Sequence, residues 1–178
     1  TIVDQFAQAG VTEIVALRGD PPKGASSFEP HPEGFASSVE LIEALKDDGR
    51  FTIRVGAYPE KHPDALSADA DVDWLKRKIV AGASEAITQF FFKAETFLRF
   101  RDRCDKAGIT APIIPGILPI ENWSGVQRFA KSCGASIPLV LRDAFGHAVR
   151  DGTEHFLATA VATELCSDLI DEGVDSLH

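Results

Sequence analysis

The chain has 178 residues, of which 44% are hydrophobic and 25% charged, and its formal net charge is −9. This composition is typical of a soluble globular domain with one hydrophobic core. The negative charge disfavours nucleic acid and anionic membranes as partners, because both require attraction to phosphate. No apolar run approaches the roughly 20 residues that cross a bilayer, and no secretory leader is recognisable, so we expect a cytoplasmic protein.

Strand-like and helix-like segments alternate along the chain, separated by short connections that contain Gly or Pro. This alternation predicts repeated βα units and a parallel sheet. The predicted strands cover residues 13–18, 51–57, 86–92 and 112–118, and the predicted helices cover residues 37–47, 68–83, 94–107, 123–133 and 153–172. A helical segment ending at Gly10 precedes them, and residues 175–178 are similar to the beginning of another strand.

The number of these units fits part of a (β/α)8 barrel. A complete barrel typically needs about 250 residues, whereas this chain offers four strands and the start of a fifth. We therefore predict an α/β chain that forms an incomplete (β/α)8 TIM barrel, a single domain over residues 1–178. It would hold about the C-terminal two thirds of the barrel, without the N-terminal strands and the last strand.

Polar residues follow the first strand and interrupt the third. In barrels of this type the chemistry lies at the C-terminal ends of the strands, where Arg18, Gly19 and Asp20 are found. Arg18 offers donors for phosphate or carboxylate, and Gly19 permits close backbone approach. Alternatively, Arg18 is a surface cation and Asp20 begins a turn before two prolines. An RGD adhesion motif is disfavoured, because no export signal accompanies it. Gln89, inside a strand expected to be buried on both sides, needs a polar partner.

The second strand and the helix after it carry further candidates. Tyr58 and His62 lie in the segment YPEKHP, whose two prolines fix an extended loop. On the following helix, Asp71, Trp74 and Lys78 recur at helical spacing and form one stripe. The alternatives are that His62 is a solvated loop residue and that residues 76–78 are a solvated charge run.

Several segments together resemble methylenetetrahydrofolate reductase, a flavin enzyme family that makes 5-methyltetrahydrofolate. They are EIVALRGDPP, AYPEKHPDA, LKRKI, AITQFFF, FLRFRDRC and PIIPGILPI, so the resemblance covers nearly the whole chain. It implies a TIM barrel that binds FAD noncovalently and serves one-carbon metabolism and methionine biosynthesis. In this reaction NADH or NADPH gives hydride to FAD, and 5,10-methylenetetrahydrofolate then takes it. The resemblance also implies a homo-oligomer.

The resemblance assigns roles to individual residues. Asp20 is the catalytic carboxylate, which favours the cationic iminium form of the substrate. Gln89 binds the folate and the nicotinamide in turn, and Phe129 stacks against substrate rings. The family's general acid, a glutamate, lies outside this chain. The implied FAD-binding residues are Arg18, Gly19, Asp20, Phe35, Ala36, Gly56, Tyr58, His62, Ala65, Asp71, Arg77 and Lys78.

Other functions stay open at this point. One is a different flavin- or phosphate-binding barrel enzyme, and another is a noncatalytic fragment or interaction module, since this chain by itself is not expected to be competent. No GxGxxG, Walker, HExxH or GxSxG motif is present, which indicates that barrel loops hold the flavin. Cys104, Cys133 and Cys166 lack metal-ligand spacing, so we expect reduced structural thiols and no metal site.

Overall fold

The computed structural model describes residues 1–19 and 29–178. The described part of the chain contains one parallel sheet and a series of helices that alternate with its strands. In chain order the elements are α1 (Ile2–Gln8), β1 (Glu13–Ala16), α2 (Ser38–Asp48), β2 (Thr52–Ala57), α3 (Ala68–Ala81), β3 (Glu85–Thr88), α4 (Ala94–Lys106), β4 (Ile113–Ile114), α5 (Trp123–Cys133), α6 (Leu139–Asp151) and α7 (Glu154–Asp171).

The four strands pair in the order β1-β2-β3-β4, and every pairing is parallel. Ala16 pairs with Val55, and Val55 pairs with Ala86, so the first three strands are in register. A helix connects each strand to its neighbour, which confirms the predicted βα units and the parallel sheet. The C-terminal ends of the strands therefore lie at one edge of the sheet.

Helices cover one face of this sheet. Ile53 and Val55 of β2 are buried, and they pack in one core with Ile42 of α2 and Leu75 of α3. The opposite face is more open in the described part of the chain, where Val15 is 47% exposed. On β3, Ala86 and Thr88 are buried, whereas Glu85 and Ile87 are partly exposed in the described structure, so the expectation that this strand is buried on both sides is wrong there.

The strands are shorter than predicted because the hydrogen-bonded ladder ends before the apolar runs do. β3 ends at Thr88, and the aromatic residues after it pack among helices instead of continuing the strand. β4 contains two residues, since Pro112 and Pro115 on either side have no N–H to donate. The backbone N–H of His178 donates to the carbonyl oxygen of Pro115 at 3.0 Å. The last residues of the described chain therefore lie beside this segment, as expected if residues 175–178 begin another strand.

Helix boundaries agree with the prediction to within two residues, but α6 was missed. Leu141, Phe145 and Ala148 are its buried residues, and their i, i+4, i+7 spacing was the available signal. The ring of Phe145 stacks on Trp123 of α5 with centroids 4.5 Å apart. Among the described helices, none has the length and hydrophobicity needed to cross a bilayer.

Candidate active site

A cleft of about 410 Å³ lies at the C-terminal ends of β1 and β2, between them and the first turns of α2 and α3. Segments distant in the sequence meet in this cleft, and most of the predicted FAD-binding residues are on its walls. Those residues are Arg18, Ala36, Gly56, Tyr58, His62, Ala65, Asp71 and Lys78. The further lining residues, not assigned by sequence, are Ala16, Leu17, Ser37, Ser38, Asp64, Ala70 and Trp74.

Two helix N-termini face the cleft. The side chain of Ser37 caps α2 by accepting a hydrogen bond from the Glu40 backbone N–H at 3.3 Å. Ser67 caps α3 in the same way through the N–H of Ala70 at 3.0 Å. Because helix N-termini carry unpaired N–H groups and the positive end of the helix dipole, this wall favours a bound anion. The S-x-x-E spacing of Ser37 and Glu40 is the sequence signal that would have located it.

Lys78 is buried at the base of the cleft, with 8% of the residue exposed. Its Nζ donates to the backbone oxygen of Gly56 at 2.7 Å. Burial lowers the pKa of Lys78, and the nearby carboxylate of Asp71 opposes this effect. The interpretation of Lys78 as part of a solvated charge run is therefore wrong. An ammonium has three donors, so Lys78 can bond Gly56 and meet an anion in the cleft.

Arg18 lies at the end of β1 and forms an ion pair across the cleft mouth. Its Nη2 is 3.1 Å from Oδ2 of Asp64, a residue that sequence reasoning did not select. The side chains are 36% and 67% exposed respectively. The pair is thus open to solvent, and a competing anion can reach the guanidinium.

A further wall of the cleft is formed by residues 58–66, here called the 58–66 loop, which leads directly into the N-cap of α3. The rings of Tyr58 and His62 meet edge to face with centroids 4.5 Å apart. Nδ1 of His62 accepts a hydrogen bond from the backbone N–H of Asp64 at 3.0 Å, so the neutral ring carries its proton on Nε2. The backbone N–H of His62 donates to Oδ2 of Asp71 at 2.7 Å. Asp71 therefore anchors the loop as well as lining the cleft.

Three predicted FAD-binding residues are not on the cleft wall of the described structure. Gly19 follows Arg18 directly and has φ +83, a left-handed conformation that favours glycine. Phe35 is 48% exposed and adjoins Ala36. Arg77 stacks its guanidinium 5.8 Å from the ring centroid of Trp74, which does line the cleft. Asp20, predicted as the catalytic carboxylate, lies outside the described residues.

The predicted substrate residues occupy neighbouring surfaces. Gln89 lies in a narrow crevice lined also by Tyr58 and Phe90, and its Oε1 accepts the backbone N–H of Phe90 at 3.0 Å. Phe129 is 48% exposed in an open groove, and its ring centroid is 5.1 Å from that of Phe90. Tyr58 lines both the cleft and the crevice, and the ring of Phe90 in the crevice contacts that of Phe129 in the groove, so the three surfaces are neighbours.

Other sequence features have structural explanations. Cys104 and Cys166 form no disulfide in the described structure, and Cys104 is fully buried. In the described ranges no group of three or more His, Cys, Asp or Glu side chains is placed to hold a metal ion. Asn122 caps α5, since its Oδ1 accepts the Gly125 N–H at 2.8 Å.

Comparison with known proteins identifies the family of the chain. The sequence model described as methylenetetrahydrofolate reductase matches residues 1–178. The chain is 44% identical over 179 residues to 5,10-methylenetetrahydrofolate reductase of Escherichia coli (strain K12), covering 100% of this chain and 58% of that protein. It is 37% identical to methylenetetrahydrofolate reductase (NADH) 1 of Arabidopsis thaliana, over 95% of this chain and 31% of that protein.

A solved structure has a similar fold. It is an uncharacterised Clostridium thermocellum protein described as binding two copies of 5-methyl-5,6,7,8-tetrahydrofolic acid. The TM-score is 0.56 at 18% identity, over 98% of this chain and 60% of that one. This likeness supports the fold, while the sequence match over all 178 residues shows that the chain belongs to the methylenetetrahydrofolate reductase family.

Proposed function

We propose that the protein reduces 5,10-methylenetetrahydrofolate to 5-methyltetrahydrofolate, with FAD held in the cleft and NAD(P)H as the hydride donor. The observation that carries this proposal is the meeting of Arg18, Tyr58, His62, Asp71 and Lys78 in one cleft of a chain from this family. The chain spans 58% of its Escherichia coli relative, so the activity is proposed for the complete protein.

The donor set of the cleft fits a flavin nucleotide. Lys78, Arg18 and the N-terminus of α2 supply positive charge for a pyrophosphate. Tyr58 and Trp74 offer aromatic surfaces, and the Asp71 carboxylate can accept from a sugar hydroxyl while it anchors His62. Bound there, FAD would supply hydride acceptance and donation, and the chain would supply binding and orientation.

The substrate would lie along the neighbouring surfaces from Tyr58 to Phe129. Gln89 would orient it through amide hydrogen bonds, and the half-exposed ring of Phe129 would stack against its flat rings. The role of Asp20 rests on the family resemblance, which assigns it a carboxylate near the pterin. The Clostridium thermocellum protein, described as binding 5-methyltetrahydrofolate on a similar fold, supports a folate as the ligand class.

NADH is the first donor to test, because the Arabidopsis thaliana relative is named as an NADH enzyme. We propose further that residues 1–178 form part of one (β/α)8 barrel domain whose remaining strands complete the sheet. A homo-oligomer and a cytoplasmic location stay predictions from the sequence.

Anaerobic absorbance spectroscopy of the complete protein tests the proposal. Purified protein should retain flavin, and its visible absorbance should fall on addition of NADH or NADPH and recover on addition of 5,10-methylenetetrahydrofolate. Flavin that is bleached but not restored by this folate would indicate a different flavin enzyme. Protein without flavin, and without affinity for added FAD, would favour the noncatalytic alternative.

A further inference from the structure

Few backbone–backbone hydrogen bonds hold the shape of the 58–66 loop in the described structure. Pro59 and Pro63 have no N–H, and the backbone bond formed inside the loop joins the N–H of Ala65 to the oxygen of His62 at 2.9 Å. The conformation of the loop therefore depends on side chains that reach it. Since Tyr58 and His62 form a wall of the cleft, whatever fixes the loop also fixes that wall.

One of these side chains comes from α4, a helix that does not line the cleft in the described structure. Nη2 of Arg103 donates to the backbone oxygen of Pro59 at 2.7 Å, although 44 positions separate the two residues. Pro59 directly follows Tyr58, so this bond acts at the base of the Tyr58 side chain. Arg103 also lies with Cζ 5.7 Å from the ring centroid of Phe100, one turn earlier on α4.

The placement of Arg103 is costly to the fold. Its Nε is buried and has no hydrogen-bond partner among the described residues. A buried donor without a partner destabilises the folded state, and an apolar side chain at this position would avoid that cost. The bond to Pro59 and the contact of the guanidinium with the Phe100 ring are therefore the contributions that distinguish an arginine from a hydrophobic residue here.

A second contact holds the loop from the same side. Oε1 of Glu60 accepts the backbone N–H of Ser136 at 2.8 Å, in the connection between α5 and α6. Gly134 packs against Lys61 and Pro63, and a Cβ built on it would lie 3.5 Å from the backbone oxygen of Lys61. The loop is thus clamped outside the cleft at Pro59 and Glu60, next to Tyr58.

We propose that Arg103 is a positioning residue for the cofactor, acting through Pro59 to hold the Tyr58 and His62 rings in their binding orientation. This inference rests on the proposed function, because it names FAD as the occupant of the cleft. Arg103 touches neither the cofactor nor the substrate. Its loss should weaken FAD binding and leave hydride transfer in the FAD-saturated enzyme nearly unchanged.

Arg101 provides a matched control on the same helix. Its Nη1 donates to the backbone oxygen of Glu172 at 3.0 Å, a bond of the same type directed away from the 58–66 loop. Arg103→Met and Arg101→Met each remove a guanidinium and one bond to a carbonyl. Arg103→Lys keeps a charged donor that can reach Pro59 by a single bond.

The experiment titrates FAD into the apo form of the complete protein and follows the quenching of tryptophan fluorescence, since Trp74 lines the cleft. We expect Arg103→Met to raise the Kd about tenfold, the loss typical of one charge-assisted hydrogen bond. Arg103→Lys should recover most of the affinity, and Arg101→Met should bind like the wild type. The kcat of the Arg103 variants at saturating FAD should stay within about twofold of the wild type.

Several results would overturn the inference. Wild-type affinity in Arg103→Met would do so, as would equal weakening by Arg101→Met or a fall in kcat at saturating FAD. If Arg103→Met does not fold, the comparison of Arg103→Lys with the neutral and shorter Arg103→Gln decides. Arg103→Gln should bind FAD more weakly than Arg103→Lys, and equal affinities of these two variants would overturn the inference. Wild-type protein that does not bind FAD at all would overturn the proposed function itself, a result distinct from any difference among the variants.

Discussion

Nζ of Lys78 donates to the backbone oxygen of Gly56 at 2.7 Å, and this bond joins α3 to the C-terminal end of β2 at the base of the cleft. A buried ammonium is expensive unless it is paired. The bond to Gly56 and the neighbouring Asp71 reduce that cost without removing it, since the pKa of Lys78 is still lowered by burial. A charge held in this way is poised to meet an anion.

Lys78→Met should separate binding from stability. We expect FAD affinity to fall by about 2 kcal/mol, because a charge-assisted contact to the pyrophosphate is lost. The free energy of unfolding should change by no more than about 1 kcal/mol, since replacing a buried charge with an apolar side chain is often neutral or stabilising. Titration calorimetry and urea denaturation measure the two quantities.

Lys76→Met is the control for this substitution. Lys76 is exposed on the same helix and donates to the backbone oxygen of Ala107 at 2.8 Å. Its replacement should leave FAD affinity unchanged. A Lys78→Met protein that loses stability while binding FAD normally would mean that Lys78 serves the fold and not the cofactor.

Asp64→Asn should strengthen the binding of an anionic cofactor. Asp64 pairs with Arg18 across the cleft mouth at 3.1 Å, so the carboxylate competes with any phosphate for the guanidinium. We expect the Kd for FAD to fall by about threefold at low salt, with a smaller effect at high salt where exposed charges are screened. Stability should change by less than about 1 kcal/mol, because the pair is exposed.

The control for the change in net charge is Asp102→Asn, an exposed carboxylate on α4 that does not line the cleft. It should leave FAD affinity within error of the wild type at every salt concentration. Unchanged binding in Asp64→Asn would show that Asp64 does not compete with the cofactor for Arg18, and weaker binding would show that Asp64 itself contributes to the cofactor site.

The spacing of apolar and polar residues along the sequence predicted most of the helices and the faces that they bury. On α3, Val72 and Leu75 are buried against the sheet, and Asp71, Trp74 and Lys78 line the cleft, as their spacing predicts. This works because a helix turns by a fixed angle per residue, whatever surrounds it. Strand ends were less predictable, because a strand ends where the adjacent strand no longer offers hydrogen-bond partners. β3 ends at Thr88, which pairs with Ala57, the last residue of β2.

Contacts between distant segments could not be predicted from the sequence. Arg103 lies in FLRFRDRC, which the family resemblance included without a role, and nothing in that segment indicates a bond to Pro59. Asp64 likewise follows a proline in an ordinary loop segment, and only the fold brings it to Arg18. Such pairs depend on the path of the whole chain, whereas helix caps such as Ser37 and Glu40 depend on local spacing.

The thiol of Cys104 should make the protein less stable in alkali. Burial raises the pKa of Cys104 to about 11 from 9.0. A group whose pKa is raised by folding stabilises the protein fully below its unfolded pKa, and this contribution is lost as the pH rises from about 9 toward about 11. We expect a loss of roughly 2 kcal/mol over that range, measured as the difference between wild type and Cys104→Ala in urea denaturation. Cys166→Ala, which removes a half-buried thiol, should lose stability in alkali as the wild type does.

Gly116→Ala should disrupt the sheet next to the proposed substrate surface. A Cβ at Gly116 would lie 2.1 Å from the backbone oxygen of Thr88, and the N–H of Gly116 donates to Thr88 Oγ1 at 3.0 Å. Because backbone cannot move aside cheaply, we expect a loss of about 3 kcal/mol in the free energy of unfolding. Gln89 follows Thr88, so the KM for the folate should rise in whatever enzyme remains folded.

The matched substitution is Gly146→Ala in α6, where a Cβ would meet nothing within 4 Å. Alanine is the better helix former, so this change should stabilise the protein by about 0.5–1 kcal/mol. Thermal denaturation of the two variants side by side measures the contrast, because the same methyl group is added in both. Equal melting temperatures would contradict the close approach of Gly116 to Thr88 and with it the position of Gln89 in the crevice.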